Sequence, residues 1–174
     1  MRTKLILPVL ISLLIMSCDK DDNNNCPIGK GFEIYPTVIP YCNNLEIDYS
    51  TVDFDTILLK NTPILRYYDL IKYDTLSHKL TLNISHDSLK FGGYDLRGTM
   101  FVVTIDKNPI YCGFYWPVIS SIPCNWVFIE EPYQGLDNLE NNKIVISFDN
   151  GQYYPDPRLD NRIIDRLVQD GKIK

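Results

Sequence analysis

The sequence is short of the residues that usually carry chemistry. It holds two histidines, His78 and His86, in 174 residues. Neither sits in an H-E-x-x-H pair, and no G-x-S-x-G elbow presents a nucleophilic serine. Those absences remove the common zinc-hydrolase and serine-hydrolase signatures. No C-x-x-C pair occurs, which argues against a structural zinc site. The acids Asp53, Asp55 and Asp149 have no EF-hand spacing, so no calcium loop is marked. No long apolar run follows Met16, so no transmembrane helix is expected in the rest of the chain. Basic charge is scarce too. The formal net charge is −5, a poor match to nucleic acid or anionic headgroups. The expectation is no cofactor, no metal, no nucleic acid and no catalytic set. No internal repeat is visible.

What is present starts at the amino terminus. Arg2 and Lys4 form a short positive region, and Leu5 to Met16 is an apolar run too short to span a bilayer. Ile15-Met16-Ser17-Cys18 follows, with Ile15 and Ser17 at the positions before the cysteine. This stretch resembles the lipobox of bacterial lipoproteins, although Met16 is less usual at its place. The resemblance implies cleavage before Cys18, lipid on the Cys18 sulfur and acylation of the new terminus. Two or three acyl chains make a stable anchor where one does not. The plainer alternative is an ordinary cleaved secretory signal with Cys18 as a bystander. Residues 18–25 are acidic and Asn-rich and read as a flexible tether. Asp19-Lys20-Asp21-Asp22 also resembles a surface-export signal of some Gram-negative groups. The expected location is the cell envelope, at the outer membrane, on its inner or outer face.

Residues 26–174 then form the folded part, one domain by length. Removing residues 1–17 takes away Arg2 and Lys4 and no acid, so the formal charge moves from −5 to −7. With Cys18 lipidated, Cys26, Cys42, Cys112 and Cys124 remain. An even number in an oxidising compartment suggests two disulfides. Sequence proximity favours Cys26–Cys42 and Cys112–Cys124, each contributing about 3 kcal/mol in the chain-entropy model. Free buried thiols and a metal site are the alternatives.

The pattern along the chain predicts α+β. Phe32 to Ile39, broken by Pro36, reads as an edge strand or extended arm. Leu45–Asp48 and Thr56–Lys60 are short strand candidates. Pro63 to Asp74 is ambiguous and reads as a short strand, then a helical turn at Tyr68–Tyr73. Lys79–Ile84 alternates as a half-buried strand. Ser85 caps a short central helix that ends at Gly92-Gly93. Met100–Ile105 and Ile110–Trp116 form a hairpin across a four-residue turn, Asp106–Pro109. Trp126–Ile129 and Lys143–Phe148 add strands, with a polar loop at residues 131–142. Asp156 and Pro157 open a C-terminal helix whose apolar face is Leu159, Ile163, Ile164, Leu167 and Val168, and Gly171 ends it. The expected architecture is a mainly antiparallel sheet with the terminal helix packed on it.

Tyr73-Asp74, His78–Leu82, Gly98–Val103, Ile110–Trp116, Ser120-Ser121, Asp156-Pro157-Arg158, Asp160, Arg162-Ile163 and Gly171-Lys172 together resemble a group of uncharacterised Gram-negative envelope lipoproteins. The central part is also similar in pattern to the periplasmic domain of the SecD export subunit. That likeness covers strand, helix and hairpin order, and export function does not transfer with it.

Three groups of residues are candidates for function. His78 with Asp74 could form a general base, with Ser120 or Ser121 as nucleophile; otherwise His78 hydrogen-bonds a loop at a strand start. Tyr111, Phe114, Tyr115, Trp116 and Trp126 concentrate aromatics on one hairpin and its neighbour. Tyr111 and Tyr115 share one strand face, and Phe114 and Trp116 share the other. One set must be core, and the second could hold sugar or peptide. Arg158, Arg162 and Arg166 make a basic stripe, either a partner surface or a salt-bridged solvent face. Arg158 could instead fix the helix start to the sheet by a bidentate bond. Asp55-Thr56-Ile57, Asp74-Thr75-Leu76 and Asp87-Ser88-Leu89 resemble short O-glycosylation acceptors. The expected function is a non-enzymatic, lipid-anchored binding module with an envelope protein or glycan partner. The alternatives are a small envelope hydrolase using His78 and Asp74, and an accessory subunit of an envelope complex.

Overall fold

The computed structural model describes residues 27–91, 95–131, 140–149 and 155–174. The signal segment with Cys18, the tether, Cys26, Gly92-Gly93, most of the polar loop and Asn150-Gly151 lie outside the described residues. Within them run β1 (Phe32–Pro36), β2 (Leu70–Asp74), β3 (Lys79–Leu82), β4 (Thr99–Ile105), β5 (Asn108–Trp116), β6 (Val127–Glu130), β7 (Lys143–Val145), β8 (Ser147–Phe148) and α1 (Asn161–Gln169). The fold is α+β. A five-stranded sheet has the order β1-β4-β5-β6-β8, and a three-stranded sheet has the order β2-β3-β7.

The β4–β5 hairpin is the spine. β4 is β-branched and aromatic along most of its length, which suits a strand buried on both faces. Its connection is tighter than the expected Asp106–Pro109 turn. Asp106 and Lys107 both take positive φ, 49° and 67°, as a two-residue hairpin turn requires. Asp106 suits that geometry, and its carboxylate also accepts from Gly31 N at 2.7 Å. Gly113 faces Phe101 across the pair, and the Phe101 ring lies over it. β1 is an edge strand by its ladder, as expected. Residues 59 and 65 cover its outer side through bridges to Thr37 and Ile34.

Several expected elements differ. Leu45–Asp48 and Thr56–Lys60 are not strands. Asp48 and Asp53 instead accept backbone N–H bonds and set 3₁₀ turns at Tyr49–Thr51 and Phe54–Thr56. Tyr68–Tyr73 is not a helical turn. A 3₁₀ turn ends at Asp69 and β2 follows. Non-local pairing decides this: β2 pairs with β3, and Tyr73 exchanges backbone bonds of 2.7 and 2.9 Å with Lys172 and Lys174. The central helix is a single 3₁₀ turn, His86–Ser88, capped by Ser85 as expected.

Among the described strand pairs, β5 and β6 run parallel, and Tyr73 of β2 makes a parallel bridge to Ile173. The expected strand Lys143–Phe148 is split. Its first half pairs with β3, and its second half pairs with β6. The switch occurs at fully buried Ile146, so this segment belongs to both sheets.

The carboxyl terminus starts later than expected. Asp156 caps a 3₁₀ turn, Pro157–Leu159, and Asp160 caps α1 itself. Ile163 and Leu167 are buried, whereas Leu159 and Val168 are exposed. Gly171 leaves the helix with a left-handed φ of 65°, just after the C-cap Asp170. Arg166 ties α1 to the hairpin turn through Asp106 at 2.8 Å and holds Asp170 at 2.7 Å.

Both faces of the five-stranded sheet are covered. Phe32 stacks on Tyr73 from the smaller sheet at 6.5 Å. On the opposite face Tyr49 packs edge-on to Phe114 at 5.0 Å. Within the β4–β5 pair Gly113 leaves no room for a side chain, since an added Cβ would lie 2.4 Å from the Phe101 ring. Gly113→Ala is therefore expected to destabilise by about 2 kcal/mol, measured by urea unfolding; an unchanged midpoint would mean the ring yields freely.

Candidate functional site

The sequence-predicted dyad is not made. Asp74 turns its carboxylate to the β2–β3 turn, accepting from Leu76 N and Ser77 N at 3.0 and 3.1 Å. Lys174 lies 3.3 Å from it. His78 instead faces Asp156, with Nε2 3.7 Å from Oδ2, longer than a hydrogen bond. Its Nδ1 shares a 2.7 Å hydrogen bond with the Tyr73 hydroxyl. Ser120 lies apart from this set, its hydroxyl donating to the Leu96 carbonyl at 2.6 Å.

Arg158 completes the cluster. Its guanidinium grips Asp156 with two bonds of 2.8 and 2.6 Å and donates a third to the Ile146 carbonyl at 2.7 Å. The role expected for Arg158 at the helix start is therefore present, though on the 3₁₀ turn ahead of α1. Phe148 packs beneath the guanidinium at 5.5 Å. The Ile146 N–H donates to the His78 carbonyl at 3.0 Å. Tyr73, His78, Asp156 and Arg158 thus converge where the strand at Ile146 changes sheets. Burial pushes the Asp156 carboxyl up, but Arg158 outweighs it and holds the group below the usual range. Burial, then Arg158, pushes the His78 imidazole down, against the pull of Asp156 and Asp74. The result is a neutral histidine wedged into a structural joint. No serine, threonine or cysteine hydrogen-bonds to its ring among the described residues.

The other sequence candidates are placed as follows. Tyr111, Phe114, Trp116 and Trp126 are buried, so they are core and not a binding patch. Tyr115 is half-buried and stacks on Phe91 at 4.3 Å. The physical reason is that packed elements cover both hairpin faces. Arg162 is exposed but gripped by Asp160 at 2.7 Å, and Arg166 by Asp106 and Asp170. The stripe is a salt-bridged face. Cys112 and Cys124 are free buried thiols, not a disulfide. Cys112 lies inside β5 opposite Val102, while the Cys124 sulfur points to the Trp126 carbonyl at 3.8 Å. Burial raises both thiols to about 12. Cys42 is also free, and Cys26, its expected partner, lies outside the described residues. Among the described residues no three His, Cys, Asp or Glu side chains converge to hold a metal.

One open site was not anticipated. A groove of about 360 Å³ runs beside β6 and β8, lined by Trp116, Pro123, Cys124, Phe128, Glu130, Ser147, Phe148 and Asp149. Trp116 forms its floor, being buried, while Glu130 and Asp149 are exposed. The loop between Trp116 and Pro123 carries exposed Val118, Ile119 and Ile122. Of this set Trp116, Cys124 and Asp149 were singled out from the sequence, Trp116 as an aromatic surface candidate, Cys124 as a disulfide partner and Asp149 as a weighed calcium ligand. The rest assemble through the parallel β5–β6 pairing and the β6–β8 pairing, neither of which leaves a local pattern.

No family model, no curated protein and no solved structure matches the chain.

The joint generates a pH prediction. The folded pKa of His78 lies below the unfolded 6.5. The unfolded chain therefore takes up this proton first, and stability falls as pH drops through 6.5 toward the lower folded value. Lowered Asp156 acts in the same direction at more acid pH. His78→Gln is expected to flatten the slope of the thermal midpoint just below pH 6.5. An unchanged slope would place the titrating group elsewhere.

Proposed function

We propose that this protein is a lipid-anchored binding module of the cell envelope, tethered to the outer membrane through Cys18 and acting without turnover. The anchor rests on the sequence before Cys18. The binding role rests on one observation above all: the open, aromatic-floored groove at Trp116, Phe128 and Phe148. Clefts that combine apolar walls with a few polar groups are the usual form of a ligand site. The hydrolase alternative loses its support, because His78 is committed to Tyr73 and Asp156 and meets no nucleophile among the described residues. Tyr111 and Phe114 are buried core residues, and Trp116 is the residue of the aromatic hairpin that lines the groove.

Two measurements on cells test this reading. Cys18→Ser should move the protein from the membrane fraction to the soluble fraction; retention in membranes contradicts the anchor. A photocrosslinking residue at Phe128 should give a discrete adduct that one at Leu76, which is 95% exposed, does not. Silence at Phe128, or the same adducts at both positions, contradicts the groove as the binding site.

A further inference from the structure

The charge around the groove points to what fills it. Glu130 and Asp149 both line it, and no lysine or arginine does. Neither carboxylate makes an ion pair or side-chain hydrogen bond among the described residues. Other acids of the fold are engaged. Asp156, Asp160, Asp106 and Asp170 each hold an arginine. The same groove is lined by three aromatic residues, Trp116, Phe128 and Phe148. Carboxylates beside aromatic surface suit a cation on an apolar stem, because the ring face attracts the charge and the walls cover the methylenes. The molecule contains its own example: Phe148 already carries the Arg158 guanidinium at 5.5 Å.

We propose that the groove binds an arginine or lysine side chain presented by an extended segment of a partner protein. This rests on the binding reading above and names its ligand class. A protein segment is favoured over a free amine by what borders the groove. The loop that joins lining residues Trp116 and Pro123 carries exposed Val118, Ile119 and Ile122, apolar surface outside the groove itself. Neighbouring apolar residues of a peptide would cover them, and a small amine would not. The chain's formal charge of −5 adds long-range attraction for a basic partner.

The test is calorimetric titration of the mature chain in detergent with an acetylated, amidated hexapeptide alternating leucine and arginine. The control is the same peptide with citrulline, which keeps the shape and removes the charge. The arginine peptide should bind about tenfold more tightly than the citrulline peptide, and less tightly as salt rises. Glu130→Gln with Asp149→Asn should remove that tenfold advantage and leave citrulline-peptide binding unchanged. Both residues are exposed, so the double variant should keep the parent's unfolding midpoint. Equal binding of the two peptides, or an unaffected double variant, overturns the cation assignment while leaving the groove as a binding site. Argininamide binding as tightly as the peptide overturns the assignment to a protein segment. Failure of both peptides to bind overturns the proposal, and the Phe128 crosslink then decides separately whether the groove binds anything.

Discussion

The bidentate pair between Arg158 and Asp156 is the contact on which the architecture depends. A single strand cannot serve two sheets without a corner, and the corner here is Ile146. Its carbonyl and N–H cannot both be satisfied by ladder partners at the switch. Arg158 takes the carbonyl and the His78 backbone takes the N–H. Asp156 then neutralises Arg158, and the His78–Tyr73 bond carries the joint into the small sheet. Each member satisfies a group that another would leave stranded. Breaking such a partly buried pair exposes the cost of the partner left behind, about 3 kcal/mol. That is a large share of a typical domain's stability.

This division of labour sets what the surface can do. The residues with obvious chemistry are spent on structure: His78, Tyr73, Asp156 and Arg158 at the joint, Arg166 and Asp170 at the helix end. The aromatics of β5 are spent on the core, because Tyr49 and Tyr73 close the two faces of the sheet over them. What is left open lies at the margin, where β6 and β8 are short and the 117–125 loop runs past them. The groove exists because the connection from β5 to β6 must return along the sheet to make a parallel pair. Its chemistry is that of recognition: aromatic surface and two carboxylates that pair with no cation among the described residues.

Much of the fold was legible in local signals. The β-branched run of β4, the apolar pair Ile163 and Leu167, the Ser85 cap and the Asp156-Pro157 turn all follow from rules acting within a few residues. Arg158 as the brace of the helix start was readable for the same reason, being adjacent to its carboxylate. What the sequence concealed is non-local. β2 looks helical until it is paired with β3 and with the C-terminal tail. Lys143–Phe148 looks like one strand, and only the two-sheet arrangement breaks it at Ile146. His78 has an acid four residues before it, but the fold gives it Asp156, far along the chain. Cys112 and Cys124 are near in sequence, yet both are free buried thiols, Cys112 within β5 and Cys124 with its sulfur on the Trp126 carbonyl. The groove could not be read, since its three segments, Trp116–Cys124, Phe128–Glu130 and Ser147–Asp149, meet only through the β5–β6 and β6–β8 pairings.

The central claim is that one polar joint unites the two sheets and α1 into a single cooperative unit. Native-state hydrogen exchange on Arg158→Ala tests it most directly. If the joint carries the fold, amides in β4, β3 and α1 lose protection together, by about 3 kcal/mol. If only the amides near Ile146 and Phe148 exchange faster while β4 and α1 keep their protection, the joint is a local decoration and the account is wrong.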